Sequence, residues 1–199
     1  MTEVIVTDGY HAVPPGKLAN VQTSLEMREK AQVRRCPQGG WQLERLSQPD
    51  LTRYRALVHR VGDDYLWSAR IAMSDAALRG FLTDPRVEAY VLTTPDGDEG
   101  VLELDFRVDG ECEISLFGVA RPLIETGAGR WLMNHAIEIA WSRPIERLWL
   151  HTCTLDHPNA LAFYQRSGFR TFKREVEIYD DPRVLGLTRK DAAPGVPIL

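Results

Sequence analysis

Residues 117–133 read FGVARPLIETGAGRWLM, and this stretch joins the end of a strand to the start of a helix through two glycines. Gly127 and Gly129 allow a tight turn, and they let backbone N–H groups approach a ligand with no Cβ in the way. The first turn of the helix adds unsatisfied donors and the positive end of the helix dipole. The stretch therefore predicts a site for an anion such as a pyrophosphate, to which Arg130 adds a formal charge. A plain structural turn has the same glycines, so both interpretations stay open.

Two better-known glycine motifs do not fit this turn. A dinucleotide-binding fingerprint requires a third glycine, where this chain has Leu132, and it follows the first strand of a parallel unit. A P-loop requires Gly-Lys and then Ser or Thr, and no such triplet follows Gly129. The anion site, if present, therefore belongs to another class of fold.

Length and composition indicate an ordinary globular chain. The protein has 199 residues, 44% apolar and 26% charged, which suits one domain or one domain with an N-terminal extension. No run of about 18 apolar residues is present, so we expect no transmembrane helix and no membrane partner. The three cysteines (Cys36, Cys112 and Cys153) form no CxxC, and the N-terminus lacks the pattern of a secretory signal. We therefore expect a cytoplasmic protein with reduced thiols.

Charge is spread unevenly along the chain. The formal net charge is −4, but residues 63–118 carry four basic and thirteen acidic side chains, whereas residues 1–62 and 119–199 are weakly basic. An acidic middle argues against nucleic acid as the main partner. It favours a cationic ligand in the middle and an anionic ligand in another part. A solvated acidic face is the alternative explanation.

The pattern of helices and strands becomes regular after residue 40. Asp50 and Ser74 are suited to cap two amphipathic helices. Asp-Gly pairs predict the turns of an antiparallel meander, and a parallel strand–helix–strand unit over 112–155 is expected to cross over right-handedly. The predicted order is strand 41–46, helix 51–62, helix 74–82, three strands over 87–119, helix 129–141, strand 147–155, helix 158–167 and strand 169–179. This order predicts an α/β fold with a mixed sheet and helices on its faces.

The opening stretch, together with NALAFYQRSGF at 159–169, resembles the GNAT (GCN5-related) superfamily of acyl-CoA-dependent N-acyltransferases. The resemblance covers residues 41–179. It leaves residues 1–40 as an extension laid on the main domain and residues 180–199 as an irregular tail. It implies the GNAT fold, a mixed sheet of six to seven strands with helices on both faces. It also implies acetyl-CoA as cosubstrate, an amine acceptor on a small molecule or a protein, and a homodimer as one option.

The resemblance assigns the cofactor site to the glycine turn and to the strand end before it. The backbone around the turn would cradle the pyrophosphate, and a bulge at the strand end would expose backbone groups, such as the Val119 N–H, to the pantetheine arm. Ile124 stands where the family commonly has Gln or Arg, and His157 stands where it commonly has Asn. The candidate cofactor-binding residues are Phe117, Gly118, Val119, Glu125, Thr126, Gly127, Ala128, Gly129, Arg130, His157 and Asn159.

Tyr164 is the candidate catalytic acid. It lies four residues after Ala160 and therefore on the same face of the helix. The resemblance implies that its hydroxyl points at the thioester sulfur and protonates the leaving thiolate. Without the motif, a tyrosine of the core is the simpler explanation.

Glu113 is the candidate catalytic base. Alternation along its strand places it on the same face as Ser115 and opposite Leu116. In the histone-acetyltransferase branch of the family, a glutamate on this strand serves as the base, and partial burial would raise its pKa toward a useful range. An exposed strand glutamate is the alternative, and Glu103 and Asp105 on the preceding strand are reserve candidates.

Other candidates receive a structural explanation. His151 and Cys153 alternate onto one strand face and could form a nucleophile pair, although a buried structural pair is favoured. In the family, the segment that holds Trp67 and Arg70 borders the acceptor pocket, and either side chain could contact the substrate, although a packing role is favoured for the tryptophan. The histidines lack the spacing of zinc ligands, so no metal is expected.

We expect an N-acetyltransferase acting on a primary amine by direct transfer in a ternary complex. The alternative is a non-catalytic acyl-CoA-binding or regulatory module on the same fold.

Overall fold

Seven strands and four α-helices follow one another along residues 7–199, the part of the chain that the computed structural model describes. The elements are β1 Lys17–Met27, β2 Gln42–Arg45, α1 Leu51–Gly62, α2 Asp75–Leu82, β3 Val87–Thr94, β4 Gly97–Asp105, β5 Glu111–Val119, α3 Ala128–Ala140, β6 Arg147–Cys153, α4 Ala160–Arg166 and β7 Arg170–Asp180.

The first two helices begin at the residues that the sequence predicts. A side-chain oxygen of Asp50 accepts hydrogen bonds from the N–H groups of Thr52 (2.8 Å) and Arg53 (3.2 Å). The Ser74 hydroxyl accepts from the Ala77 N–H at 3.3 Å. Each cap satisfies donors that have no partner inside the helix, and this makes the start of a helix readable from local sequence.

All strands join one sheet in the order β2-β3-β4-β5-β6-β1-β7. Every neighbouring pair is antiparallel except β5 and β6, which are parallel, so the predicted α/β fold with a mixed sheet is confirmed. The parallel pairing stops early, at Glu113 opposite Trp149. Beyond that pair, β5 continues to Val119 and β6 to Cys153 without contact in the ladder, so a wedge opens between their carboxyl ends.

Two apolar cores lie on opposite faces of the sheet. Side chains of α1 and α2, such as Tyr54 and Leu78, pack with Val91 and Val101 on one face. On the other face, α3 and α4 cover the second core, which holds the fully buried Leu132. Helices therefore cover both faces, as the resemblance implies, and the wedge between β5 and β6 lies between the two layers.

The bulge in β5 lies at Ser115 and not at Phe117–Val119 as expected. Leu116 pairs with Glu103 and Ile114 with Leu104, which leaves Ser115 as the extra residue. Leu116 consequently packs in the α1 core, on the same face as Ser115, and the expected alternation is wrong from this point on.

Position 118 requires a glycine for close packing, and not for the expected bulge. A Cβ at this position would lie 2.7 Å from Cγ1 of Val61 and 2.9 Å from Cη2 of Trp67. The glycine therefore allows α1 and the Trp67 ring to pack directly on the strand, while residues 117–119 keep regular pairing with β4.

The extension expected at 1–40 contributes an inner strand, which differs from a segment laid on the domain. β1 pairs with β6 on one side and β7 on the other. Several polar side chains of β1 face the wedge, so local pattern gives only a weak strand signal. The bulge opposite Ser24 and Leu25 lies in β7, where Phe172 is the extra residue. Residues 1–6 lie outside the described residues. The domain boundaries at 40/41 and 179/180 stay predictions.

The C-terminal tail follows β7 as a series of turns. Arg183, 2% exposed, pairs with Asp181 at 2.7 Å and donates hydrogen bonds to the carbonyl oxygens of Ala192 (3.1 Å) and Val196 (2.7 Å). Ala192 packs beside Leu18 of β1. A buried guanidinium therefore holds this tail against the sheet, where the hydrogen bonds offset its desolvation.

Candidate active site

Two clefts meet where β5 and β6 separate. The first has a volume of about 480 Å³ and extends toward the glycine turn and α4. The second, of about 360 Å³, extends toward β1 and β7. Five residues line both clefts, and they mark the junction: Tyr65, Trp67, Phe117, Asp156 and Tyr164. A ligand in each cleft would bring two reacting groups together at this junction.

The glycine turn forms one wall of the first cleft. Gly127 has φ of 100°, the left-handed region that a side chain rarely adopts, and a Cβ there would lie 2.7 Å from Cδ of Pro37. A Cβ at Gly129 would have no atom within 4 Å, because this residue faces the open cleft. The N–H groups of the first turn of α3 have no intrahelical partner, so the wall is suited to an anionic group.

Ten of the eleven candidate cofactor-binding residues line this first cleft. Ala128 does not: it is fully buried, and its N–H donates to the Thr126 hydroxyl at 3.3 Å. Two cations also line the cleft, Arg130 and Arg166, of which Arg130 donates to the Arg35 carbonyl oxygen at 3.1 Å. The segment around Arg35 was not singled out from the sequence, because its contact with α3 spans nearly one hundred residues.

Tyr164 lies at the junction of the clefts. Its ring packs edge-on against Phe117, with centroids 6.1 Å apart, and against Phe169 at 6.3 Å. Burial raises the pKa of its phenol well above the ordinary value, and the carboxylate of Asp156 acts in the same direction. The hydroxyl is therefore protonated at neutral pH and can donate a proton to a group at the junction.

Glu113 lines neither cleft, but it lies beside a residue that does. Its Oε1 is 3.7 Å from Nδ1 of His151, which lines the second cleft. Burial raises the pKa of Glu113 to about 7, with a further contribution from Asp105. Burial lowers the pKa of His151, so this imidazole is neutral at pH 7 and can accept a proton. The alternation of β6 predicts on which face of the sheet His151 lies, but its contact with Glu113 depends on the register in which β5 pairs with β6.

The reserve acids are engaged in ion pairs. Glu103 is fully buried and accepts hydrogen bonds from Arg70 (2.7 Å), the Ser115 hydroxyl (2.9 Å) and the Tyr54 hydroxyl. Asp105 pairs with Arg107. Arg70 lines the second cleft, and its charge is compensated by the buried carboxylate of Glu103.

Asp156 is a junction residue that sequence reasoning missed as a site residue. One oxygen accepts from Nε1 of Trp67 at 2.8 Å, and the other accepts from the Thr152 hydroxyl (2.7 Å) and the Cys153 N–H (2.9 Å). Its place just after a parallel strand, where binding residues collect, is the signal that could have found it.

Burial raises the pKa of Cys153 to about 11, so the thiol stays protonated and makes a poor nucleophile.

Within residues 7–199, no group of three His, Cys, Asp or Glu side chains is arranged to hold a metal ion. No helix in the described part of the chain is long and apolar enough to cross a membrane.

Residues 49–169 match the family model of the acetyltransferase (GNAT) family, which is more than half of the chain. The chain belongs to the GNAT family. This GNAT protein also shares its fold with solved structures. A conserved Staphylococcus epidermidis protein of unknown function has TM-score 0.54 and 14% identity over 83% of this chain. A GCN5-related N-acetyltransferase from Sphaerobacter thermophilus has TM-score 0.59 and 14% identity over 85% of this chain.

A third relative is the ribosomal-protein-S18-alanine N-acetyltransferase from Escherichia coli, with TM-score 0.54 and 17% identity, covering 71% of this chain and 94% of that one. The GNAT protein spans 63% of the Staphylococcus chain and 53% of the Sphaerobacter chain. The comparison with curated proteins finds none that matches. At these identities the likeness concerns the fold alone.

Proposed function

We propose that this GNAT protein is an N-acetyltransferase that moves an acetyl group from acetyl-CoA to a primary amine by direct transfer in a ternary complex. The observation that carries the proposal is the meeting of two clefts at Tyr164, one of them walled by a helix start that is suited to an anion. An acyl donor in one cleft and an amine in the other would react without a covalent intermediate on the protein. The unpaired thiols of Cys36, Cys112 and Cys153 support a cytoplasmic location.

The first cleft is suited to acetyl-CoA. We assign the pyrophosphate to the first turn of α3, where Gly129 leaves room for close approach and Arg130 and Arg166 supply positive charge. The pantetheine arm would lie along Phe117–Val119, on the β5 edge that β6 leaves unpaired. A backbone N–H there, such as that of Val119, would stabilise the charge that develops on the acetyl oxygen.

The second cleft is suited to the amine. An ammonium group must lose a proton before it attacks, and we propose that the proton passes through His151, or a water molecule beside it, to Glu113. The nitrogen then forms a bond to the acetyl carbon and the carbon–sulfur bond breaks. Tyr164 donates its proton to the leaving thiolate and is reprotonated from solvent. Glu113 is thus still the base expected from the sequence, but it receives the proton through His151 or water and not directly from the amine.

The test is amine-dependent release of free CoA thiol, with the acetylated product identified by mass. The protein is incubated with acetyl-CoA and a panel of primary amines. We expect thiol release that requires both protein and amine. Tight binding of CoA without turnover of any amine would contradict the proposal and favour a non-catalytic acyl-CoA-binding or regulatory module.

A further inference from the structure

The far end of the second cleft contains a buried amide with an unused acceptor. Asn20 of β1 is 4% exposed, lines the cleft and pairs across the sheet with Glu177 of β7. Its Nδ2 donates to Oε2 of Glu177 at 2.9 Å. Because a carboxylate only accepts hydrogen bonds, this contact fixes the orientation of the amide. Oδ1 of Asn20 is left with no hydrogen-bond partner among residues 7–199.

An unsatisfied buried carbonyl is costly, and a ligand that donates a hydrogen bond would satisfy it. Glu177 beside it adds a negative charge, and only one of its oxygens accepts from Asn20. Tyr179 lines the same end, and burial raises the pKa of its hydroxyl to about 12, so this group stays neutral. The far end therefore offers acceptors and a negative charge.

No cation with free charge lines this cleft within the described part of the chain. Arg70 is paired with Glu103, and His151 is neutral at pH 7. A carboxylate on the acceptor would therefore meet Glu177 without compensation. An ammonium group would instead form charge-assisted hydrogen bonds to Glu177 and to the unused oxygen of Asn20.

Apolar side chains line the cleft between its two polar ends. They come from the wedge strands and from the turn after α1, and they are Leu66, Ile114, Leu116, Phe117 and Leu150. A polymethylene chain would bury against them, because apolar surface gains free energy when it leaves water. The cleft thus combines a reacting end, an apolar middle and an anionic far end.

We infer that the preferred acceptor is a small aliphatic diamine, whose second ammonium group is held by Asn20 Oδ1 and Glu177 while the first reacts at Tyr164. This inference rests on the proposed function, since it names the acceptor of the same site. It assigns Asn20 and Glu177 to substrate selection.

The first experiment compares four acceptors that share a four-carbon chain: 1,4-diaminobutane, butylamine, 4-amino-1-butanol and 4-aminobutyrate. We expect kcat/KM for the diamine to exceed that for butylamine by about tenfold, the effect of a hydrogen bond to a charged group. The aminobutyrate should be the poorest acceptor. Equal rates for diamine and butylamine, or equal rates for diamine and amino alcohol, would overturn the inference.

The second experiment removes the charge at the far end. Glu177→Gln should lower the ratio of diamine to butylamine activity by about tenfold. Glu175→Gln is the matched control, because this glutamate lies two residues away on the same strand face, pairs with Lys173 and does not line the cleft. If the ratio of diamine to butylamine activity falls equally in both variants, the effect comes from surface charge in general, and this would contradict the assignment.

Calorimetric titration of 1,4-diaminobutane and butylamine into the protein–CoA complex separates the two proposals. If the diamine binds more tightly in the wild type but not in Glu177→Gln, the subsite holds even when no amine is acetylated. If butylamine is acetylated and the diamine has no advantage in binding or rate, the inference fails while the proposed function stands.

Discussion

Nδ1 of His151 lies 3.7 Å from Oε1 of Glu113, which belongs to the last residue pair that joins β5 to β6. The wedge between these strands opens at this point, so one partner lies in the second cleft and the other behind it. Burial shifts both pKa values away from their ordinary values: it raises the pKa of the Glu113 carboxyl and lowers the pKa of the His151 imidazole. A proton can therefore pass between them near neutral pH.

Glu113→Gln should lower kcat by about 10²–10⁴-fold, the usual contribution of general base catalysis. The KM for acetyl-CoA should change little, because Glu113 does not line the first cleft. Steady-state thiol release measures both constants. Glu111→Gln is the control on the same strand, since Glu111 pairs with Arg147 away from the junction. Unchanged kcat in Glu113→Gln would exclude the proton route through this residue.

The pH dependence of Glu113 gives a second prediction. Its pKa is raised to about 7 from 4.5, so the carboxylate form, which accepts the proton, is lost as pH falls below about 7. The rate should therefore rise with pH through about 7, and Glu113→Gln should lack this limb.

Linkage makes a matching prediction for stability. A raised pKa means that Glu113 favours the fold at low pH, and this contribution is lost as pH rises from 4.5 through about 7. The free energy of unfolding of Glu113→Gln, relative to wild type, should thus increase between pH 5 and pH 8. Parallel stability curves for the two proteins would contradict the raised pKa.

Tyr164→Phe should keep the fold and lose proton donation. The phenylalanine ring preserves the contacts with Phe117 and Phe169, while the missing hydroxyl should lower kcat by roughly 10²-fold. Tyr90→Phe is a control, because Tyr90 is also buried but donates to Glu88 at 2.7 Å, away from both clefts. That variant should lose stability in thermal unfolding and keep kcat. A Tyr164→Phe protein with full kcat would remove the hydroxyl from the mechanism.

Alanine at the two glycines of the turn should have opposite effects. Gly129→Ala should raise the melting temperature slightly, since alanine is favoured in a helix by about 1 kcal/mol, and it should weaken CoA binding by about tenfold because its methyl group enters the cleft. Gly127→Ala should lower the melting temperature, because φ of 100° and Pro37 both oppose a Cβ. Thermal unfolding and CoA titration measure the pair. Full CoA affinity in Gly129→Ala would place the pyrophosphate elsewhere.

Arg70→Met should destabilise the protein by about 3–5 kcal/mol, because it leaves the fully buried carboxylate of Glu103 without its cation. The double variant Arg70→Met/Glu103→Gln should recover a large part of this loss. Arg55→Met is the control, since Arg55 pairs with the exposed Asp75 and such a pair contributes about 0–1 kcal/mol. Urea unfolding measures all three. Equal losses in Arg70→Met and Arg55→Met would mean that the buried pair carries no special cost.

Local sequence was a good guide wherever a feature depends on residues within one turn. The caps at Asp50 and Ser74 and the glycine turn at 127–129 are all where the pattern predicts them. The spacing of the two motifs indicates the GNAT family, which the family match confirms. The roles of Glu113 and Tyr164 stay predictions, because nothing but their geometry supports them.

Tertiary structure decided the features that depend on strand register. β1 enters the sheet between β6 and β7, and this brings Asn20 beside Glu177, 157 residues later. The bulge at Ser115 depends on pairing with β4, and it reverses the face of Leu116. The sequence alone determined which elements form after residue 40 and which family they build, since those follow from spacing along the chain. Only the folded sheet determined which side chains meet in the clefts, because a register shift of one residue exchanges its two faces.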